Sequence, residues 1–296
     1  MIKRIYTRRD FLKDATSAAA GTMVFSLPKR IFASQDKKTR VVLIRNEGVL
    51  DDLNKPRPEI VQAMLDEATT TLLGIDDPVR AWKKIIKPDD VVGIKTNGWR
   101  QLPTTNEVEN AIKRRVLDVG VLDKNIQIRD QRVYSDEIFQ KATALINARP
   151  MRTHHWSGVG SLIKNYIMFV NNPSSYHPDS CADLATIWNL PLVKGKTRLN
   201  VLVMFTPLFH GIGPHDFNPQ YTWPYKGLLV GFDPVAVDAT GVRILQAKRK
   251  AYFGEDRPLN PPPKHVFLAD TRHHLGTADP EKIELIKLGW KEDTFV

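Results

Sequence analysis

Cysteine is almost missing from this chain of 296 residues: Cys181 stands alone. With no second thiol, no disulfide can close within one chain. A thiolate-held iron–sulfur cluster or a cysteine-based zinc site is likewise excluded for one chain acting alone. Histidine is missing from the first half, and all eight histidines fall between His154 and His274. That asymmetry directs the search for reactive groups to the second half. Several familiar motifs are missing too. Gly195-Lys196-Thr197 looks like the end of a phosphate-binding loop, but Leu190 stands where that loop needs its first glycine. There is no Gly-x-Ser-x-Gly elbow and no His-Glu-x-x-His helix. Asn172-Pro173-Ser174 fails as a glycosylation site because of its proline.

What the chain has in excess is positive charge, +10 at neutral pH from 43 Lys and Arg against 33 Asp and Glu. Residues 1–33 hold seven of those cations and two of the acids, so the remainder carries +5. The leftover charge is dispersed in short runs such as Arg114-Arg115 and Lys248-Arg249-Lys250. Nucleic-acid binding needs a concentrated basic face with stacking aromatics, so no nucleic-acid partner is expected.

The start of the chain explains half of the excess. Thr7-Arg8-Arg9-Asp10-Phe11-Leu12-Lys13 fits the twin-arginine pattern, and a weakly apolar stretch follows from Ala15 to Leu27. Pro28-Lys29-Arg30 breaks that stretch and Ile31-Phe32-Ala33 offers a small residue for cleavage. Residues 1–33 therefore read as a twin-arginine signal peptide. The apolar stretch is far short of the ~20 residues that cross a bilayer, so no stable membrane span after cleavage is expected. The twin-arginine export machinery becomes an expected partner, and a periplasmic or other extracytoplasmic location the expected destination. That route is known for carrying proteins already folded.

Residues 34–296 suffice for a single α/β domain, with 34–150 and 151–296 as possible halves. Val41–Ile44 is a short apolar run bounded by charges, hence a buried strand. Ile60, Val61, Met64, Leu65, Ala68 and Leu72 recur at helical spacing and Gly74 closes them. Asp77-Pro78 starts a second helix, capped by Asp with Pro at its first position. Strand Val91–Lys95 follows. Thr104-x-x-Glu107 is read as the capping box of a helix to Val119, Ile126–Ile128 as a strand, and Ser135–Ile146 as a helix. This alternation predicts an α/β fold, a mostly parallel sheet with helices on both faces. The second half is less regular, with strands at Leu199–Phe205 and Gly227–Phe232, helix starts at Asp233-Pro234 and Asp279-Pro280, and a surface connection at Pro258–Pro263.

Candidate chemistry concentrates in Thr153-His154-His155-Trp156-Ser157-Gly158-Val159-Gly160-Ser161-Leu162-Ile163-Lys164-Asn165. Gly158 and Gly160 allow close backbone approach and would leave amides for an anion. Lys164 opens an apolar run, where an ammonium must snorkel, pair with an acid or face a cavity. Lys95, closing an apolar strand before Thr96-Asn97, poses the same question, and strand ends border the ligand crevice of open α/β sheets. Asp238 lies among apolar residues, where a carboxylate needs a partner or a cation. Gly211-Ile212-Gly213 forms a second glycine-rich turn between His210 and His215.

Four of these pieces together resemble the domain of unknown function 362 family: Lys87 to Asn97, His154 with Gly158-Val159 and Lys164-Asn165, Gly211-x-Gly213-Pro214, and Asp233 to Asp238. The resemblance implies an α/β fold and no agreed activity. It also implies no iron–sulfur cluster here, because the cysteine-rich region of the cluster-bearing members is lacking. More distantly, His154, a lysine ten residues on and His177 are ordered as in nickel-pincer lactate racemases. That similarity implies a metal cofactor held through the lysine and a histidine.

The expectation is an exported small-molecule enzyme of unassigned reaction, possessing a Lys/Asn/His pocket for an anionic or hydroxylated substrate. His154, Lys164 and Asp238 are the catalytic candidates, with His154 as general acid or base because its ordinary pKa lies near neutrality. Lys95, Asn97, Gly158, Gly160, Asn165, Gly211 and Gly213 are candidates to bind ligand or cofactor. His177, Asp183 and His210 are candidates to hold a divalent metal. The alternatives are a non-catalytic extracytoplasmic ligand-binding protein and a structural partner of an exported complex.

Overall fold

The computed structural model describes residues 38–213 and 215–296; the signal-peptide reading of residues 1–33 lies outside them. Eight strands form one sheet: β1 (Thr39–Arg45), β2 (Val92–Lys95), β3 (Ile126–Arg129), β4 (Ala144–His154), β5 (Gly158–Gly160), β6 (Thr197–Leu208), β7 (Gly227–Gly231) and β8 (Ile283–Gly289). Their order is β3-β2-β4-β6-β7-β1-β8, with β5 paired to β4 outside that path. The pairs β2–β3, β2–β4, β4–β6 and β1–β8 are parallel, while β7 runs antiparallel to both neighbours. The sheet is thus mixed and mostly parallel.

Helices cover both faces, as strands buried on each side require. Val42 and Ile44 of β1 pack with one cluster, Val41 and Leu43 with another. That is the period-two alternation of a strand between two cores. The first face takes α1 (Pro58–Leu73), α2 (Pro78–Ile85) and α3 (Asn106–Val119). α1 begins with Pro58 and ends on Gly74 at φ 66°, whose N–H caps Thr70 and Thr71. Asp77 accepts from the Arg80 N–H at the head of α2. The second face takes α6 (Pro234–Phe253) and α7 (Lys264–Thr271), after two short helices, α4 (Glu137–Lys141) and α5 (Leu162–Asn165).

Three sequence expectations are corrected. Ser135–Ile146 is not one helix: α4 ends at Lys141 and Ala144 begins β4, the eleven-residue strand buried along its whole length. Thr104 does not cap α3. Thr105 occupies the cap position without a side-chain bond, while the Thr104 hydroxyl donates to Ala148 O (3.1 Å) and accepts the Asn97 N–H (3.0 Å). Asp279 caps a single turn, Pro280–Lys282, that leads into β8 and not a helix. The contact with Ala148 outweighs a cap because it satisfies a buried carbonyl.

Residues Lys38–Val296 form one compact unit, and β4 runs across residue 150. Among the described residues no helix is long and apolar enough to cross a membrane.

The connectivity decides where a ligand can sit. The connection after β2 leaves toward β3 and the chain after β4 leaves toward β6, so the strands β2 and β4 flank a topological switch point. A crevice opens at the carboxyl ends of such a pair. Lys95 ends β2 and His154 ends β4.

Candidate functional site

A cavity of about 370 Å³ lies at this switch point. Asn97, His154, Lys164, Asn165 and His177 line it, beside Asp130, Arg149, Arg152, Trp99 and Trp156. The groups that sequence places some seventy residues apart are therefore neighbours.

Its floor is a buried polar network. The Lys95 ammonium, fully buried, donates to Thr96 O (2.6 Å), Asp130 Oδ1 (2.9 Å) and Asn165 Oδ1 (3.1 Å). Asn165 Nδ2 donates to Asn147 Oδ1 (2.8 Å) and Lys95 O (3.2 Å), and Asn147 Nδ2 to Leu162 O (3.0 Å). Asn147 also approaches Asn200 Oδ1 at 3.4 Å, and Asn200 donates to Phe232 O. Three strands and α5 are thus tied beneath the cavity. Lys95 itself has no free donor to offer a ligand. Burial pushes its pKa down to about 8 against the pull of Asp130, and the same ion pair holds Asp130 below the usual carboxylate range despite its own burial.

Two arginines form the wall, and neither was singled out from the sequence. Residues three apart on a regular strand face opposite sides, but the register of β4 against β6 shifts between Pro150 and Arg152. That bulge returns Arg152 to the side of Arg149. A methyl group at Gly160 would stand 2.9 Å from Arg149 Nη2 and 3.3 Å from Arg152 Cζ. Gly160 therefore makes room for both guanidinium groups. Arg149 donates to Ser161 O (3.3 Å), and its Nε is buried without a partner. Arg152 is stacked over the Trp99 ring at 4.4 Å, with Nε and Nη1 both buried and unpartnered. Burial lowers Arg149 to about 10 and Arg152 well below the ordinary value, with Arg149 repelling Arg152. These directions register the cost of two like charges held out of water, which the nearby Asp130, and Asp238 for Arg149, offset only in part.

His154 ends β4 and is mostly buried. Its Nδ1 accepts the Trp156 N–H at 3.2 Å, so the neutral ring carries its proton on Nε2. Desolvation, then Arg152, Lys164 and Arg149, push its pKa far below neutrality. A neutral imidazole held this way is a hydrogen-bond donor through Nε2. Lys164, buried on α5, has Cys181 Sγ at 3.5 Å as its hydrogen-bond partner and no carboxylate beside it. Burial lowers it to about 8. Trp156 stacks on His177 at a ring separation of 3.7 Å.

Other candidates fall outside the cavity lining. Asp238 is fully buried and accepts from Ser161 Oγ (2.7 Å), Leu162 N (2.9 Å) and Ile163 N (2.9 Å). It fastens the head of α5, and through it Lys164 and Asn165, so it is a positioning residue. Its pKa is raised by burial to about 6 against those bonds. Gly158, at φ 72°, is packed against the chain and not a ligand: a methyl group there would stand 2.3 Å from Pro261 O. Gly213 packs likewise on Thr153 O and the His154 backbone, while Gly211 borders Asp216.

The metal set does not assemble. Asp183 is bound on the surface by Arg272 and His273, and His210 contacts Arg249. His177 alone of the three lines the cavity. Among the described residues no group of three His, Cys, Asp or Glu side chains could hold a metal ion. The donor set does not fit a protein-held metal.

No curated protein and no solved structure matches the chain. Residues 57–243, which hold α1 through the first half of α6 and with them every side chain of the cavity, match the family described as Domain of unknown function (DUF362). The chain belongs to that family.

Proposed function

We propose that this protein is an exported enzyme acting on a small anionic molecule, bound at the carboxyl ends of β2 and β4. One observation carries the reading: Arg149 and Arg152, both almost wholly buried, line the same open cavity, while Arg152 Nε and Nη1 stay without hydrogen-bond partners inside its wall. A buried charge without a counter-ion is strongly destabilising unless something completes it. A guanidinium pair is the side-chain arrangement suited to a carboxylate or phosphate group. Asn97 lines the same cavity and brings an amide suited to a hydroxyl of the same molecule.

Two features favour chemistry over simple binding. His154 lines the cavity, and its neutral ring carries the proton on Nε2, the state in which an imidazole donates to an oxygen gaining negative charge. Lys164 is buried beside the same cations with no acid to hold its proton. A receptor for an anion needs neither. The order of His154, Lys164 and His177, similar to that of nickel-pincer lactate racemases, falls on one cavity, but among the described residues no group of three His, Cys, Asp or Glu side chains could hold a metal ion.

The export half of the reading rests on Arg8-Arg9 and the uncharged stretch behind them. Titration calorimetry of the full chain with phosphate, sulfate, acetate and oxalate at low ionic strength tests the cavity. At least one should bind with a stoichiometry of one, weaken as salt rises, and lose affinity in Arg152→Met. Absence of binding by all four would remove the anion site.

A further inference from the structure

The two buried lysines of this region stand in opposite states. Lys95 makes three hydrogen bonds, one to the carboxylate of Asp130. Lys164 lines the cavity and has a thiol at 3.5 Å as its partner. An ammonium held this way loses water without gaining an anion, so its amine form is favoured. The chain invests in this placement. Asp238 accepts the Leu162 and Ile163 N–H groups, setting the turn of helix from which Lys164 projects. Cys181 reaches it from a stretch, Asp179-Ser180-Cys181, in which three successive non-glycine residues have positive φ (49°, 57° and 63°). Such a run is disfavoured for L-residues and persists only where surrounding packing imposes it.

An amine, an anion seat and a neutral hydrogen-bond donor therefore share one cavity. We propose that Lys164 captures its substrate covalently, as an imine with the carbonyl carbon of a small oxo acid whose carboxylate sits on Arg149 and Arg152. This deepens the anion-site reading above and rests on it. The lone pair of the Lys164 amine forms the C–N bond while the carbonyl π pair moves to oxygen. That oxygen receives the His154 Nε2–H hydrogen bond and takes one of the two N–H protons of the newly bonded nitrogen, giving a neutral carbinolamine. The hydroxyl then leaves as water with the remaining N–H proton, and the nitrogen lone pair closes the C=N bond. Nothing is oxidised or reduced. The buried amine supports the step, since burial and the adjoining arginines bring Lys164 down to about 8.

Glyoxylate, the smallest molecule with both a carboxylate and an aldehyde, is the probe. The full chain is incubated with it and cyanoborohydride, which reduces an imine to a stable secondary amine, and the digest is read by mass spectrometry. The adduct should form on the peptide containing Lys164 well ahead of those containing exposed lysines, a comparison that needs no variant. Arg152→Met should slow it about tenfold at limiting glyoxylate, the effect of one lost charge-assisted contact. Lys164→Arg should give no adduct on that peptide. Labelling of Lys164 no faster than exposed lysines, with glyoxylate bound by the wild type, would overturn the imine and leave the anion site standing. No binding of glyoxylate or of any of the four anions above would overturn both.

Discussion

Replacing Arg152 by Met should make the ligand-free protein more stable, although it removes a side chain that fills its site. The guanidinium is almost wholly buried, with Nε and Nη1 unpartnered, and its like-charged neighbour is Arg149. Exchanging buried ionic groups for apolar residues of similar volume gains about 1–4 kcal/mol. Loss of the stacking contact on Trp99, at 4.4 Å, returns about 1 kcal/mol of that. A net gain of about 2 kcal/mol remains, which for a chain of this size raises Tm by about 4–8 °C. The wild type should recover the difference on binding its anion: at a hundred times Kd the linkage contributes about 2.7 kcal/mol, and the variant should gain almost none of it. The assay is calorimetric or fluorescence melting of both proteins, with and without the tightest-binding anion, in a buffer free of other oxyanions. A variant that melts below the wild type without anion, or responds equally to it, would refute the claim that Arg152 waits uncompensated for a ligand.

Asp238 carries a pH signature. Its folded pKa, about 6, stands above the ordinary 3.8, so the native state binds the extra proton and stability should fall as pH rises between about 4 and 6, by about 3 kcal/mol in all. Asp238→Asn should flatten that slope in urea melts and lose about 1–3 kcal/mol near pH 4, because an amide leaves one of the three donors unpaired. A slope that persists in the variant places its origin elsewhere. The two glycines of β5 should separate by readout. Gly160→Ala should weaken anion binding about tenfold, the cost of about 1.4 kcal/mol from guanidinium groups displaced by a methyl group, with Tm little changed. Gly158→Ala, facing backbone at 2.3 Å with φ 72°, should instead lose about 3 kcal/mol or more of stability; the reverse pattern would misassign both. Export should require the guanidinium pair: Arg8→Lys with Arg9→Lys should leave the full-length chain in the cytoplasm on fractionation, and undiminished export would remove the twin-arginine reading.

Much of the framework was legible because local chemistry determines it. The apolar run Val41–Ile44, the Pro58 and Asp77-Pro78 helix starts and the Gly74 stop each satisfy their own backbone within a few residues. An ammonium or amide beside an apolar run must find a partner, which is why Lys95, Asn97, Lys164 and Asn165 stood out, while His154 stood out for its near-neutral ordinary pKa. What sequence could not assign was the identity of each partner. Lys95 meets Asp130 across 35 residues and Asp238 meets Leu162 across 76, and only the sheet order brings them together. Arg149 and Arg152 escaped notice for a more specific reason. Their strand begins at Ala144, inside a stretch read as helix, and a bulge invisible in the sequence turns residues three apart toward one side. A glycine announces that something comes close; at Gly158 it proved to be the Pro261 backbone and at Gly160 two guanidinium groups. Sequence determined which residues needed a partner, because burial of a polar group is costly wherever it occurs. Tertiary structure decided which partner each one has, and left Arg152 without one, because electrostatic completion depends on distances that only the folded sheet sets.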